Sequence, residues 1–246
     1  MKPIHIITGD ATKLPLADSS VDLIITHPPY LGIDVERYGG DPDKQINFSQ
    51  NRKKMLKTLL KATKEMYRVL TDEGNLIIAN GPSDNLDMRF VLQTVDKTGF
   101  YYRDCVVQNA YDEADFNVKF NEVINSNIVT TWHHFSKTEY LYNNPFLVKN
   151  NNAPVWDMPF NNIADPVDQK LAEKYHVLDA MNKEIPKRFI AMFSKKGQTV
   201  LDPFGGSGLV AVTAAEMGRV GISNDISTSQ AEAAADRARL SGVMVA

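Results

Sequence analysis

Apolar positions along the chain alternate between two spacings. Short β-branched or apolar runs at 3–8, 21–25, 75–79, 103–108, 139–148, 199–201 and 220–223 predict strands. Between them lie stretches with helical spacing. From 51 to 70, Met55, Leu56, Leu59, Leu60, Thr63, Met66, Tyr67 and Leu70 recur on one stripe, with most of the lysines off it, so this helix has a core face and a solvated face. Further helices are predicted at 86–97, at 182–195 with Pro186 in its first turn, at 207–217, and from a capping box at 227–230 to about 240. Strands alternating with helices predict an α/β fold with a mostly parallel sheet. Two stretches, 110–137 and 150–180, carry neither period. A third, 31–49, is polar, contains glycine and is too long for a plain connector, which suits either a lid or substrate loop using Arg37 and Tyr38 or a disordered excursion.

The predicted strands end on chemistry. Strand 199–201 runs into Asp202-Pro203-Phe204-Gly205-Gly206-Ser207-Gly208 and then a helix. Glycines permit close approach of backbone to a ligand, and a helix N-terminus offers free N–H groups. No Gly-Lys-Ser/Thr follows and an acid heads the loop, which disfavours a phosphate site. Strand 21–25 ends at Thr26-His27-Pro28-Pro29-Tyr30, where two prolines make a rigid turn with free carbonyls and an aromatic ring follows. The first strand ends at Gly9-Asp10-Ala11 and the strand at 220–223 ends at Asn224-Asp225. A Gly-Asp turn is common for local reasons alone.

Composition narrows the class. With 246 residues and 43% hydrophobic content, the chain suits one domain, 1–246. A net charge of −3 is not that of a protein that coats nucleic acid without specificity, although a local basic face would still serve a nucleic-acid enzyme. The single cysteine, Cys105, excludes an intrachain disulfide and reads as a buried thiol. No apolar stretch is long enough to cross a membrane and residues 1–10 lack a signal-peptide core, so a cytoplasmic location is expected. No metal site is expected, since the spacing of His133-His134 suits no ligand set.

The two loops together give the sequence a family likeness. It resembles the S-adenosylmethionine-dependent DNA amino-methyltransferases that modify adenine N6 or cytosine N4. Their catalytic loop reads Asp/Asn/Ser-Pro-Pro-aromatic, and their cofactor loop reads Asp-Pro-Phe-x-Gly-x-Gly. With the catalytic loop first, the order resembles the circularly permuted β group, and the likeness spans nearly the whole chain. It implies a Rossmann-like, seven-stranded, mostly parallel methyltransferase sheet with small irregular target-recognition segments, at 110–137 and 150–180. The aromatic residues Tyr111, Phe116, Phe120, Trp132, His133, His134 and Phe135 would then form a base-contacting surface. The likeness implies cofactor binding by Asp10, Ala11, Thr26, Asp202, Pro203, Phe204, Gly205, Gly206, Ser207, Gly208 and Asp225, with Asp10 on the adenine amine and Asp225 on the ribose hydroxyls. The family acid often sits two positions before Asp225, at Ser223. The implied catalytic residues are His27, Pro28, Pro29 and Tyr30, with DNA as partner and a homodimer as the frequent assembly. Thr26 resembles the Thr-Ser-Pro-Pro-Tyr form of cytosine-N4 enzymes. RNA and protein-glutamine methyltransferases also carry Pro-Pro-Tyr loops, but usually after the cofactor loop.

Position 27 is where the sequence departs from the family. Acceptors on the two N–H bonds of an aromatic amine make its nitrogen more tetrahedral and free its lone pair. The Pro28 carbonyl supplies one acceptor, and His27 supplies the other only when neutral, because imidazolium donates only. The alternative is a cofactor-binding module whose activity the histidine has abolished. An ordinary histidine titrates near about 6.5. The methylation rate at saturating substrates should therefore fall as pH drops through that value, and a flat rate profile would remove the acceptor role from His27.

Overall fold

The computed structural model describes residues 2–29, 52–80, 93–94, 96–111, 128–139, 155–159, 165–175 and 181–246. Its elements in chain order are β1 (Ile4–Thr8), β2 (Val21–Thr26), α1 (Arg52–Val69), β3 (Leu70–Asn80), β4 (Tyr101–Tyr111), β5 (Ile128–Ser136), β6 (Val155–Pro159), α2 (Pro166–Tyr175), α3 (Glu184–Phe193), β7 (Thr199–Asp202), α4 (Leu209–Glu216), β8 (Val220–Asp225) and α5 (Thr228–Leu240). The strands form one sheet of eight in the order β1-β8-β7-β2-β3-β5-β4-β6. From β1 to β3 all neighbours are parallel. β5 runs antiparallel to both β3 and β4, and β4 pairs in parallel with β6. The carboxyl ends of β1, β8, β7, β2, β3, β4 and β6 therefore share one edge.

Both sheet faces are covered, so the central strands are apolar on both sides. On β2, Ile24 joins a core with Met55, Leu59, Ala62 and Met66 of α1. Its neighbours Leu23 and Ile25 point the other way, into a core with Ile185, Phe189 and Ile190 of α3 and Val210 of α4. β1 packs Ile4 against Ala211, Val212 and Ala215 of α4 and Ala238 of α5. The stripe read from 51–70 is the buried face of α1, and the strand expected at 75–79 is the inner part of β3. Of the helix expected at 86–97, residues 93–94 and 96–98 are helical and 81–92 lie outside the described residues.

The strand expected at 139–148 lies outside the described residues apart from Glu139, which sits in a bend. The segment 110–137, assigned to target recognition, contains a strand that was not expected, β5, which pairs with β4. Of the aromatic surface expected there, Trp132, Phe135 and His133 are buried, at 1%, 1% and 4% exposure, so they contact no base in this arrangement. An interior strand must be apolar on both faces, which is why its aromatics resemble a binding surface in sequence. Phe116 and Phe120 lie outside the described residues, as does the stretch 31–49 with its Arg37 and Tyr38. His133 and His134 point to opposite faces, as neighbours on a strand do. His133 meets Tyr102 Oη at 3.3 Å and Thr131 Oγ1 at 3.1 Å, whereas His134 Nε2 lies 2.8 Å from Asn75 Oδ1. Burial pushes His134 down to about 4, so it is neutral at pH 7 and donates to Asn75. Among the described residues no group of three His, Cys, Asp or Glu could hold a metal. Among the described residues the segment 150–180 contributes a strand that was not expected, β6.

One arginine fixes the helices behind the carboxyl edge. Arg219, 8% exposed, lies between α4 and β8. It donates to the carbonyls of Met217 at 2.7 Å and Ser194 at 2.6 Å, and to Ser194 Oγ at 3.0 Å. These groups end α4 and α3, where carbonyls lack helical partners and a cation is favoured. Arg219→Met should lower the unfolding free energy by roughly 3 kcal/mol, since charged hydrogen bonds to buried carbonyls are lost. Denaturant unfolding would measure this, and an unchanged midpoint would exclude the capping role.

Candidate active site

Four strand ends meet along the carboxyl edge, in the order β1, β8, β7, β2. They carry Gly9 and Asp10, Asp225, Asp202, and Thr26 with His27. Residues far apart in sequence thus become neighbours. β8 and β1 are tied by Gly9 N donating to Asp225 O at 2.9 Å, and β8 and the glycine loop by Gly205 N donating to Asn224 O at 2.8 Å. The side chain of Asn224, fully buried, donates to Gly9 O at 3.1 Å and Pro203 O at 3.0 Å, which holds both loops at once.

The glycine loop is shaped by its neighbours. Gly206 and Gly208 have φ of 49° and 76°, in the left-handed region. Gly205 lies so close to β8 that a Cβ there would stand 2.1 Å from Ser223 Oγ. A Cβ on Gly208 would stand 2.7 Å from Ala234 Cβ of α5. Asp225 accepts from Gly206 N at 2.9 Å through Oδ2 and from Ser227 N at 2.9 Å through Oδ1. Ser223, the other position considered for the ribose acid, is 1% exposed and lies beneath the loop rather than at the strand tip. Ser227 Oγ accepts from Gln230 N at 3.4 Å and caps α5.

Asp202 joins the cofactor-type loop to the catalytic-type loop. It is 3% exposed, and its Oδ1 accepts from Thr26 Oγ1 at 2.7 Å and Phe204 N at 3.1 Å. Burial pushes its carboxyl up to about 7, against those hydrogen bonds, and the charge of Asp225 adds to the rise. Burial likewise raises Asp225 above the usual carboxylate range. Asp10 is exposed; its Oδ1 accepts from Thr12 N at 2.8 Å, and its carbonyl from Lys13 N at 2.9 Å. This is a side-chain-closed turn that holds the acid at the edge. Ala11 is 5% exposed and its methyl joins the α1-side core, while Phe204 is half-buried against that core.

His27 is half-buried and Pro28 buried; Pro29 is half-buried beside them. Tyr30 lies outside the described residues. The His27 ring packs against Trp132, with centroids 5.9 Å apart and planes at 60°. Trp132 is fixed in turn by its indole N–H, which donates to Gln108 Oε1 at 3.1 Å, and by Phe189 at 5.5 Å between centroids. Trp132 therefore forms a wall behind the catalytic-type loop.

Two residues to which sequence reasoning gave no role, Asn224 and Arg237, belong to this edge, and Trp132, read as a base contact, stands behind the loop at 26–29 instead. Arg237 did leave a signal. It occupies the apolar stripe of α5 with Ala233, Ala234 and Ala238, where a charge demands a partner.

The chemistry of the edge is that of acceptors. Among the groups of S-adenosylmethionine, the adenine amine, the two ribose hydroxyls, the ammonium and the sulfonium are donors or cations. Three carboxylates on adjacent strand ends, two of them with raised affinity for protons, fit such a ligand. A glycine loop closed against β8 leaves room for it to approach backbone.

A family profile described as DNA methylase, of the N6/N4 methylases, matches residues 21–236. Among solved structures, the PvuII DNA methyltransferase (cytosine-N4-specific) superposes with a TM-score of 0.77 at 17% identity, over 96% of this chain and 86% of that one. A putative DNA modification methylase of Thermus thermophilus, complexed with S-adenosyl-L-methionine, gives 0.64 at 19% identity, over 97% and 94%. The complex of M1.HpyAVI with SAM gives 0.62 at 17%, over 95% and 98%. No curated protein matches the sequence. These structures share the methyltransferase fold of the chain. No helix among the described residues is long and apolar enough to cross a membrane. The chain belongs to the N6/N4 DNA methylase family and is an S-adenosylmethionine-dependent enzyme that methylates exocyclic amino groups of bases in DNA.

Proposed function

We propose that the enzyme methylates cytosine N4, with residues 26–30 as its catalytic loop and Asp10, residues 202–208 and Asp225 around the cofactor. The observation that carries the site is the meeting of these loops on adjacent carboxyl ends, where open α/β sheets bind ligands. The sheet order supports the permuted motif order: counted from β7, the parallel strands run β7, β8, β1, β2, β3 as first to fifth. The choice of cytosine rests on Thr26 before the Pro-Pro loop and on the PvuII enzyme, whose name gives that specificity. Strands β4 and β6 end at the same edge, at Tyr111 and Pro159, which supports target contacts by the segments beyond them.

The bound cofactor supplies an electrophilic methyl group on a sulfonium, so no metal or covalent enzyme intermediate is needed. The work left to the chain is orientation. The Pro28 carbonyl and neutral His27 accept the two amine N–H bonds, and Tyr30 stacks on a base turned out of the duplex. Trp132 holds the His27 ring in place. The Asp202–Thr26 hydrogen bond fixes the distance between the catalytic and cofactor loops.

Nucleoside mass spectrometry of unmethylated DNA, treated with protein and S-adenosylmethionine, should show N4-methylcytosine. N6-methyladenine would overturn the choice of base, and no methylated nucleoside despite cofactor binding would favour the inactive-module reading.

Asp202 gives the site a pH dependence of its own. Below about pH 7 its carboxyl is protonated in the free enzyme, because the buried charge is disfavoured. Through the range between the ordinary carboxylate value and about 7 the fold alone loses stability as pH rises, since folding retains a proton that the unfolded chain has released. A cation bound beside it reverses the preference. Cofactor binding near pH 6 should therefore release a proton, and affinity should rise from pH 6 to 8. Titration calorimetry in buffers of different ionisation enthalpy measures both, and Asp202→Asn should abolish the proton release. A release that persists in that variant would assign it to another group.

A further inference from the structure

The outer surface of the glycine loop is held by a helix pair that the methylation chemistry leaves unused. Arg237 of α5 is 2% exposed. Its Nε donates to Ser207 O at 2.8 Å and its Nη2 to Ser207 Oγ at 3.0 Å. The same Nη2 donates to Asp168 Oδ1 of α2 at 2.5 Å, an ion pair whose side chains are 3% and 15% exposed. Ser207 stands between the two left-handed glycines, so its carbonyl direction sets the course of the loop on both sides.

We propose that Arg237 is a positioning residue for the glycine loop, and that α2, through Asp168, sets how tightly the loop binds S-adenosylmethionine. The inference rests on the assignment of residues 202–208 to the cofactor. Its physical basis is the uneven anchoring of the two helices. α5 is a fixed platform, because Ala234 meets Gly208 at a distance that admits no side chain. α2 is an outer layer, seated on α5 through one small apolar cluster of Val167, Leu171, Tyr175 and Ala233. A buried guanidinium keeps its fork aligned only while its charge is matched. Without Asp168, Arg237 retains only neutral acceptors in its buried position, and turning toward water releases Ser207. α2 is thus an allosteric handle on the loop. It follows β6 in the chain, and it packs on α5 beside the glycine loop. It falls within the segment 150–180 that the sequence suggests for target contact, so engagement of DNA there would be felt as cofactor affinity.

The second attachment of α2 supplies the control. Asp236 of α5 accepts from Lys174 Nζ at 2.7 Å and Tyr175 Oη at 2.8 Å, and also pairs with Arg239. It seats the other end of the same helix, and none of these three partners belongs to the glycine loop. S-adenosylmethionine should be titrated calorimetrically into the wild-type full chain, Asp168→Asn and Asp236→Asn, with Tm measured for each without cofactor. Both variants should lower Tm, but only Asp168→Asn should raise the cofactor Kd, by about ten-fold, with kcat at saturating cofactor preserved. Asp236→Asn should stay within about two-fold of wild type. Equal weakening in the two variants, or wild-type affinity in Asp168→Asn, would overturn the inference. A wild-type chain that binds no S-adenosylmethionine would overturn the cofactor assignment beneath it.

Discussion

A buried amide holds this site together. Asn224 ends β8 between two parallel neighbours, and its two N–H bonds go to the carbonyls of Gly9 and Pro203. Strand ends leave carbonyls without ladder partners, and in a buried setting each must find a donor. A single side chain satisfies one on either side, so the loops after β1 and β7 are fixed relative to β8. With Gly205 pressed onto Ser223 and Asp225 receiving the Gly206 amide, the glycine loop has little freedom left. Preorganisation of this kind places the ordering cost in folding rather than in ligand binding.

The electrostatics follow from the same packing. Parallel strands under two helical layers bury their ends, so Asp202 and Asp225 are pushed toward protonation although backbone and hydroxyl groups donate to them. An acid left in that state favours a cation. The tie to Thr26 carries this effect across to β2, at the residue before His27. The Asp202 carboxyl and the start of the loop at 26–29 thus share one hydrogen bond.

His27 stands where the family has Asp, Asn or Ser, and under the proposed mechanism it is an acceptor that acid removes. Its environment is aromatic, with Trp132 beside it and Phe189 behind Trp132. Trp132, one of the aromatics that resembled a base-binding surface, instead packs behind the loop at 26–29.

Much of this was legible in the chain. Helical spacing fixed α1 at 52–69 within a residue or so, because one face of an amphipathic helix must be apolar whatever it packs on. The strand-end motifs were legible because glycine, proline and acids there answer local demands of backbone geometry. The 128–136 strand was missed because burial on both faces erases alternation, leaving a run of aromatics and β-branched residues with more than one meaning. By itself the sequence determined the alternation of strands and helices, the chemistry of the loops and the family they belong to. Only the tertiary structure decided which carbonyls Asn224 would satisfy, that Trp132 would stand behind His27, and that Arg237 would meet both Ser207 and Asp168. Those pairings join residues up to 215 positions apart, and no local periodicity encodes a partner that far away.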